Sequence, residues 1–155
     1  MDSFFYLPLA GLAFFIISGV YFYIQKNKII EKYRQPDAVV LKNIGGTITT
    51  ITKGGLKNSK RFQWCSFEIF MNQNSIFLFP KDFYIIPRKC VNLRFGSDRR
   101  NTRKPEVLRE FHIHDTYVEL ILYPDWMPDT KRTISLNGLN QEEILLFRKL
   151  LNREV

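Results

Sequence analysis

Two clusters of basic side chains concentrate most of the chemistry that this sequence can offer. The first is KGGLKNSKR, residues 53–61, with Lys53, Lys57, Lys60 and Arg61. Closely spaced ammonium and guanidinium groups suit a phosphate or an acidic surface. Backbone N–H groups around Gly54-Gly55 can add an anion-binding nest. The same residues would also make a plain solvated hairpin tip. The second cluster is GSDRRNTRK, with Arg99, Arg100, Arg103 and Lys104, flanked by Arg94 and Arg109. Arginine forks favour bidentate contacts to phosphate or carboxylate, although Asp98 and Glu106 dilute the charge and a polar loop is the simpler alternative. A third stretch, PDWMPD, brackets Trp126 and Met127 between prolines. Such a pair either anchors a partner or the membrane interface, or folds back over the domain.

Catalytic and metal chemistry find little footing. The sequence contains no GxSxG elbow, P-loop, dinucleotide fingerprint or HExxH, and Ser59, Ser66 and Ser75 have no motif around them. His112 and His114 share one face of a strand-like segment beside Asp115, but no third ligand stands at a recognised spacing. Cys65 and Cys90 are far apart, with no CxxC, and read as small buried hydrophobes. The expectation is a non-catalytic protein with no metal and no cofactor.

The element that must position these residues lies at the start. Phe4 to Ile24, FFYLPLAGLAFFIISGVYFYI, carries no charged residue. At 1.5 Å per residue it crosses a hydrocarbon core of about 30 Å. A cleaved signal peptide would want a basic start, a shorter apolar core and small residues before the cut; here the chain begins MDSFF and the run ends in Tyr21, Phe22 and Tyr23. The stretch therefore reads as one transmembrane helix, residues 1–25 forming the anchor. Lys26, Lys28, Lys32 and Arg34 follow in a basic juxtamembrane linker, residues 26–36, which the positive-inside rule assigns to the cytoplasm. Ile29, Ile30 and Tyr33 give that linker a partial apolar stripe if the helix runs on, and Pro36 stops it.

From Asp37 to Val155 the pattern changes to strands. AVVLKNI and TITTITK flank Gly45-Gly46, which suggests a turn or bulge. RFQWCSFEIF has apolar residues on both faces and predicts a strand covered on much of both sides. MNQNS predicts a hairpin turn with Asn72 and Asn74 at positive φ. SIFLF, FYII, CVNLRF, REFHIH, YVELILY and RTISL follow as short strands. The chain closes on an amphipathic helix, with Asn140 as N-cap, Glu143 at N3, and Ile144, Phe147, Leu150 and Leu151 on one face.

Seven or eight antiparallel strands followed by one helix predict a barrel or sandwich whose open end the helix covers. The strand run through RFQWCSFEIF, SIFLF and CVNLRF, with NQEEILLFRKLLN at the end, resembles the pleckstrin-homology-like superfold. It is similar in organisation to small single-span bacterial membrane proteins that carry such a domain. The resemblance implies binding of lipid headgroups, peptides or proteins. It also implies that the loop holding Lys53, Lys57, Lys60 and Arg61 is the one that cradles phosphates in lipid-binding relatives. Lys60-Arg61 lacks the spacer of the usual Lys/Arg-x-Arg pattern, and Phe147 stands where many such domains have Trp.

The charge distribution points the same way. The formal net charge is +8, with all 23 basic side chains and all but one of the 15 acidic ones lying beyond the span. A basic domain held at a bilayer meets anionic phospholipid first. Nucleic acid is disfavoured, because the aromatics alternate as core residues without a basic-aromatic platform. The expected function is a membrane-tethered binding module presenting its domain to anionic lipid or a protein partner. The alternative is an accessory or immunity-type subunit of a membrane complex.

Overall fold

The computed structural model describes residues 3–54, 58–94, 106–124 and 129–152, with side chains from residue 9 onward. One helix, α1 (Ser3–Tyr33), precedes eight strands: β1 (Val39–Thr52), β2 (Ser59–Met71), β3 (Ser75–Asp82), β4 (Ile86–Pro87), β5 (Val91–Arg94), β6 (Glu106–Ile113), β7 (Tyr117–Leu122) and β8 (Thr130–Asn137). Helix α2 (Gln141–Leu151) ends the described chain. The strands follow the order β2-β1-β8-β7-β6-β5-β3, and a further β2–β3 pairing closes the ring. Seven strands thus form a closed barrel, and β4 is an extra strand on the flank of β3. Closure leaves the ring without an edge to pair with other chains.

Three strand expectations change. AVVLKNI and TITTITK are one continuous strand, β1, that runs through both glycines. The irregularity lies earlier, between Leu41 and Ile44, where Asn43 takes φ 59°. Gly46 answers a different need: a Cβ there would collide with the backbone oxygen of Ser135 on β8. FYII is a turn rather than a strand, with only Ile86 and Pro87 entering β4. The barrel is also not wholly antiparallel. β5 and β6 pair in parallel, Leu93 opposite Glu106 and Arg94 opposite Val107. A parallel pair needs a crossover connection of roughly a dozen residues, and the long polar stretch after Phe95 supplies that length.

The barrel interior follows the period-2 alternation. Phe67, Ile69 and Met71 of β2 meet Ile76 and Leu78 of β3, Leu120 and Leu122 of β7, and Ile134 and Leu136 of β8. Helix α2 plugs one end, burying Ile144, Phe147 and Leu151 in the same cluster. Its start is fixed by a capping box: Asn140 Oδ1 accepts from the Glu143 N–H at 2.9 Å, and Glu143 Oε2 accepts from the Asn140 N–H at 2.8 Å.

Helix α1 is the one helix among the described residues long and apolar enough to cross a membrane, over Leu9–Tyr33. Leu12, Phe14, Ile17, Val20 and Tyr23 are all more than half exposed, so this is not the core helix of the barrel. Its last turns do pack against protein. Ile29 and Tyr33 join Phe70, Phe77 and Phe79, which point outward from β2 and β3, in a second apolar cluster. This is why β2 carries apolar side chains on both faces. The cover extends only over its C-terminal half, for Phe62 and Trp64 on the same outer face remain exposed.

Candidate functional site at the helix–barrel junction

Helix α1 runs without a break from its apolar segment onto the barrel wall, and the β2–β3 turn holds its end. Asn72 Nδ2 donates to the Tyr33 carbonyl at 2.8 Å, satisfying a carbonyl that the helix terminus leaves open. Gln35 Oε1 accepts from the Gln73 N–H at 2.9 Å, and Gln73 Nε2 donates to Asp37 Oδ2 at 3.0 Å. Neither Asn72 nor Asn74 is at positive φ; Asn72 serves the helix instead. Tyr33 stacks on Phe77 with ring centroids 5.6 Å apart, and Phe77 leans on Phe70 at 5.7 Å.

Above this docking patch, between α1 and strands β3, β5 and β6, lies a cleft of about 280 Å³. Phe22 and Ile29 of the helix, with Phe77 and Phe79 of β3, supply its apolar wall. Lys26, Arg88 and Lys89 supply cationic groups, and Glu106 an acidic one. Several charges are already held. Lys26 Nζ donates to Glu68 Oε2 at 2.9 Å, and Lys81 approaches the same oxygen at 3.6 Å. Arg132 Nη1 donates to Glu106 at 3.0 Å. Arg88 clamps Asp82 through both Nε and Nη2. Lys89 is exposed at the rim. An apolar wall with a cationic lip suits an amphiphile with an anionic head.

Beside the cleft, the barrel end carries a small polar group around Asp82. Gln63 Nε2 donates to Asp82 Oδ1 at 2.6 Å, and Cys65 Sγ lies 3.9 Å from that oxygen. Burial, then the Asp82 charge, pushes the Cys65 thiol up from 9.0 to about 11, with Arg88 opposing. A thiol held protonated is a poor nucleophile. Cys65 is buried, Cys90 is half-buried, and neither forms a disulfide.

The sequence-predicted binding residues fall elsewhere. Lys53 follows the end of β1, and its N–H donates to the Asp129 carbonyl at 2.8 Å. Lys60 and Arg61 sit opposite Ile51 and Thr50 on β2, all three basic residues being exposed. They share the β1–β2 hairpin and do not line the cleft. Lys57, Arg99, Arg100, Arg103, Lys104, Trp126 and Met127 lie outside the described residues. His114 stacks on Tyr117 with ring centroids 4.0 Å apart. Among the described residues, no three His, Cys, Asp or Glu side chains gather where they could hold a metal.

Sequence reading missed Arg88, Lys89, Lys81 and Glu68 as junction residues. One signal was available: Lys81 and Arg88-Lys89 bracket the apolar FYII. It also missed the exposed pair on β2, Phe62 and Trp64, which meet edge to face at 5.2 Å.

No protein-family model matches the chain, and no curated protein matches its sequence.

Proposed function

We propose that this protein is a membrane-tethered, non-catalytic binding module that recognises an anionic phospholipid headgroup at the junction of its helix and barrel. The observation that carries the reading is the cleft itself. It opens beside α1 between Tyr21 and Ile29, where the apolar segment gives way to lysines, and it combines Phe22, Phe77 and Phe79 with Lys26, Arg88 and Lys89. A cationic lip at the depth where a span ends meets headgroup phosphates. Lys26, Lys28, Lys32 and Arg34 follow the span, so the barrel belongs on the cytoplasmic side. We take the barrel with its plugging helix as a pleckstrin-homology-like domain. The closed ring and the terminal α2 support that assignment, and the parallel β5–β6 pair departs from its usual antiparallel pattern.

The test uses the full chain in nanodiscs made with neutral or anionic lipid, with retained lipid weighed by native mass spectrometry. The expected result is retention of anionic lipid, weakened by salt and by Lys89→Glu. Retention indifferent to headgroup charge and to salt would defeat the proposal.

A second reading, an accessory or immunity-type subunit, has one observation in its favour. Trp64 is 74% exposed beside Phe62 on the outer face of β2, and paired exposed aromatics are typical anchors for protein partners. Mild detergent extraction should then recover a complex that Trp64→Ala disrupts; a lone monomer from wild-type extracts counts against it.

A further inference from the structure

The β3–β4 connection presents three consecutive, strongly exposed apolar side chains, two of which, Phe83 and Ile85, are the most exposed among the described residues of the barrel domain. Phe83, Tyr84 and Ile85 are 84%, 72% and 80% exposed, and Ile86 follows them into β4. They form a tight turn, closed by the Ile85 N–H donating to the Asp82 carbonyl at 3.1 Å. Phe83 and Tyr84 take φ of 49° and 64°. Two successive positive φ values mark the turn type that normally holds Asn-Gly, because a Cβ strains there. Two large aromatics at such positions, aimed at water, would be both strained and poorly solvated.

The position of the turn suggests what covers it. β4 lies against α1, and a Cβ at Gly19 would come within 4.0 Å of Pro87. Gly19 is five residues before Ile24, the end of the apolar run, or about 7 Å along the helix. Strand β3 runs towards the span: Phe77 stacks on Tyr33, and Pro87, opposite Lys81, has reached Gly19. The tip therefore projects alongside the span itself, short of its cytoplasmic end. Its shoulders carry Lys81, Arg88 and Lys89. The one acidic group at its base, Asp82, is buried and clamped by Arg88 and Gln63. An apolar tip, cationic shoulders and a neutralised base match the sequence of acyl chains and anionic headgroups met on entering a leaflet.

We infer that Phe83, Tyr84 and Ile85 form a wedge that inserts into the leaflet from which α1 emerges, giving the barrel a second membrane contact. The inference rests on α1 crossing the bilayer, and it is independent of which headgroup the cleft prefers.

The experiment uses the wild-type full chain in nanodiscs containing a phospholipid with a photoactivatable carbene precursor in its acyl chain. Trypsin then releases three informative fragments: 1–26 with the span, 82–88 with the turn, and 133–148 with the exposed but distant Leu145. The expected result is strong label in 1–26, and label in 82–88 several-fold above that in 133–148. Label in 1–26 alone overturns the wedge and leaves the anchor standing. Label in none of the three overturns both, and equal label in 82–88 and 133–148 also overturns the wedge. A triple variant, Phe83→Asn, Tyr84→Gly and Ile85→Thr, installs residues that favour the turn and so preserves the fold. It should lose most of the label in 82–88 and keep that in 1–26; unchanged label in 82–88 would overturn the wedge.

Discussion

At the scale of single residues, two positions make sharp demands. Gly46 sits where β1 meets the Ser135 carbonyl so closely that any Cβ must displace backbone. Gly46→Ala should cost about 1–3 kcal/mol by overpacking, read as a lower melting temperature in detergent; an unchanged melt would show that β8 can retreat. Cys65 makes the second demand. Its thiol stays protonated to about pH 11 in the fold, against 9.0 for the ordinary group. The folded state therefore holds a proton that the unfolded chain releases between those values, so this contribution to stability is complete below pH 9 and is lost as pH rises to about 11. Cys65→Ala should flatten that part of the stability–pH curve. At pH 8 an alkylating reagent should spare Cys65 in the folded protein and modify it after denaturation. Rapid labelling of native Cys65 would contradict this. The Gly46 demand was not legible in the sequence, because it depends on Ser135 far along the chain; the burial of Cys65, which does most to raise its thiol, was legible from its apolar surroundings, but the Asp82 charge that adds to it was not.

At the scale of elements, what was local could be read and what was remote could not. Helix α2 was legible because its cap needs only Asn140 and Glu143 three residues apart, and its buried stripe needs only the helical period. Phe147→Ala should cost about 3–5 kcal/mol by opening a cavity under the plug, whereas Asn140→Ala should cost about 1 kcal/mol. Equal effects on the thermal melt would mean that the plug is held by its cap rather than its core. The β3–β4 turn was misread because Phe, Tyr and Ile have strand propensity and no Asn-Gly marks the reversal. The two faces of β2 were half legible. Alternation revealed apolar residues on both sides, but not that α1 covers Phe70 while Trp64 goes bare. The junction cleft was invisible, since the residues around it come from three separated stretches, 21–29, 77–92 and 106.

At the scale of the molecule, helix α1 and the barrel meet through Ile29, Tyr33, the Lys26–Glu68 pair and the clasp of Asn72 on the helix end. Replacing Ile29 and Tyr33 together by Ala should release the last turns of α1. Hydrogen exchange should quicken over 26–33 and leave β7 and β8 protected. Loss of protection throughout the barrel would instead make the helix part of its folding core. The unbroken course of α1 has a mechanical corollary. A flexible tether lets its cargo roam, but a stiff strut transmits angle. When a bilayer thins, a helix that crosses it and has become too long leans over, and on the crossing proposed for α1 a barrel bolted along that strut must swing with it. Membrane thickness would then set how far the cargo pitches against the lipid plane, with no ligand involved.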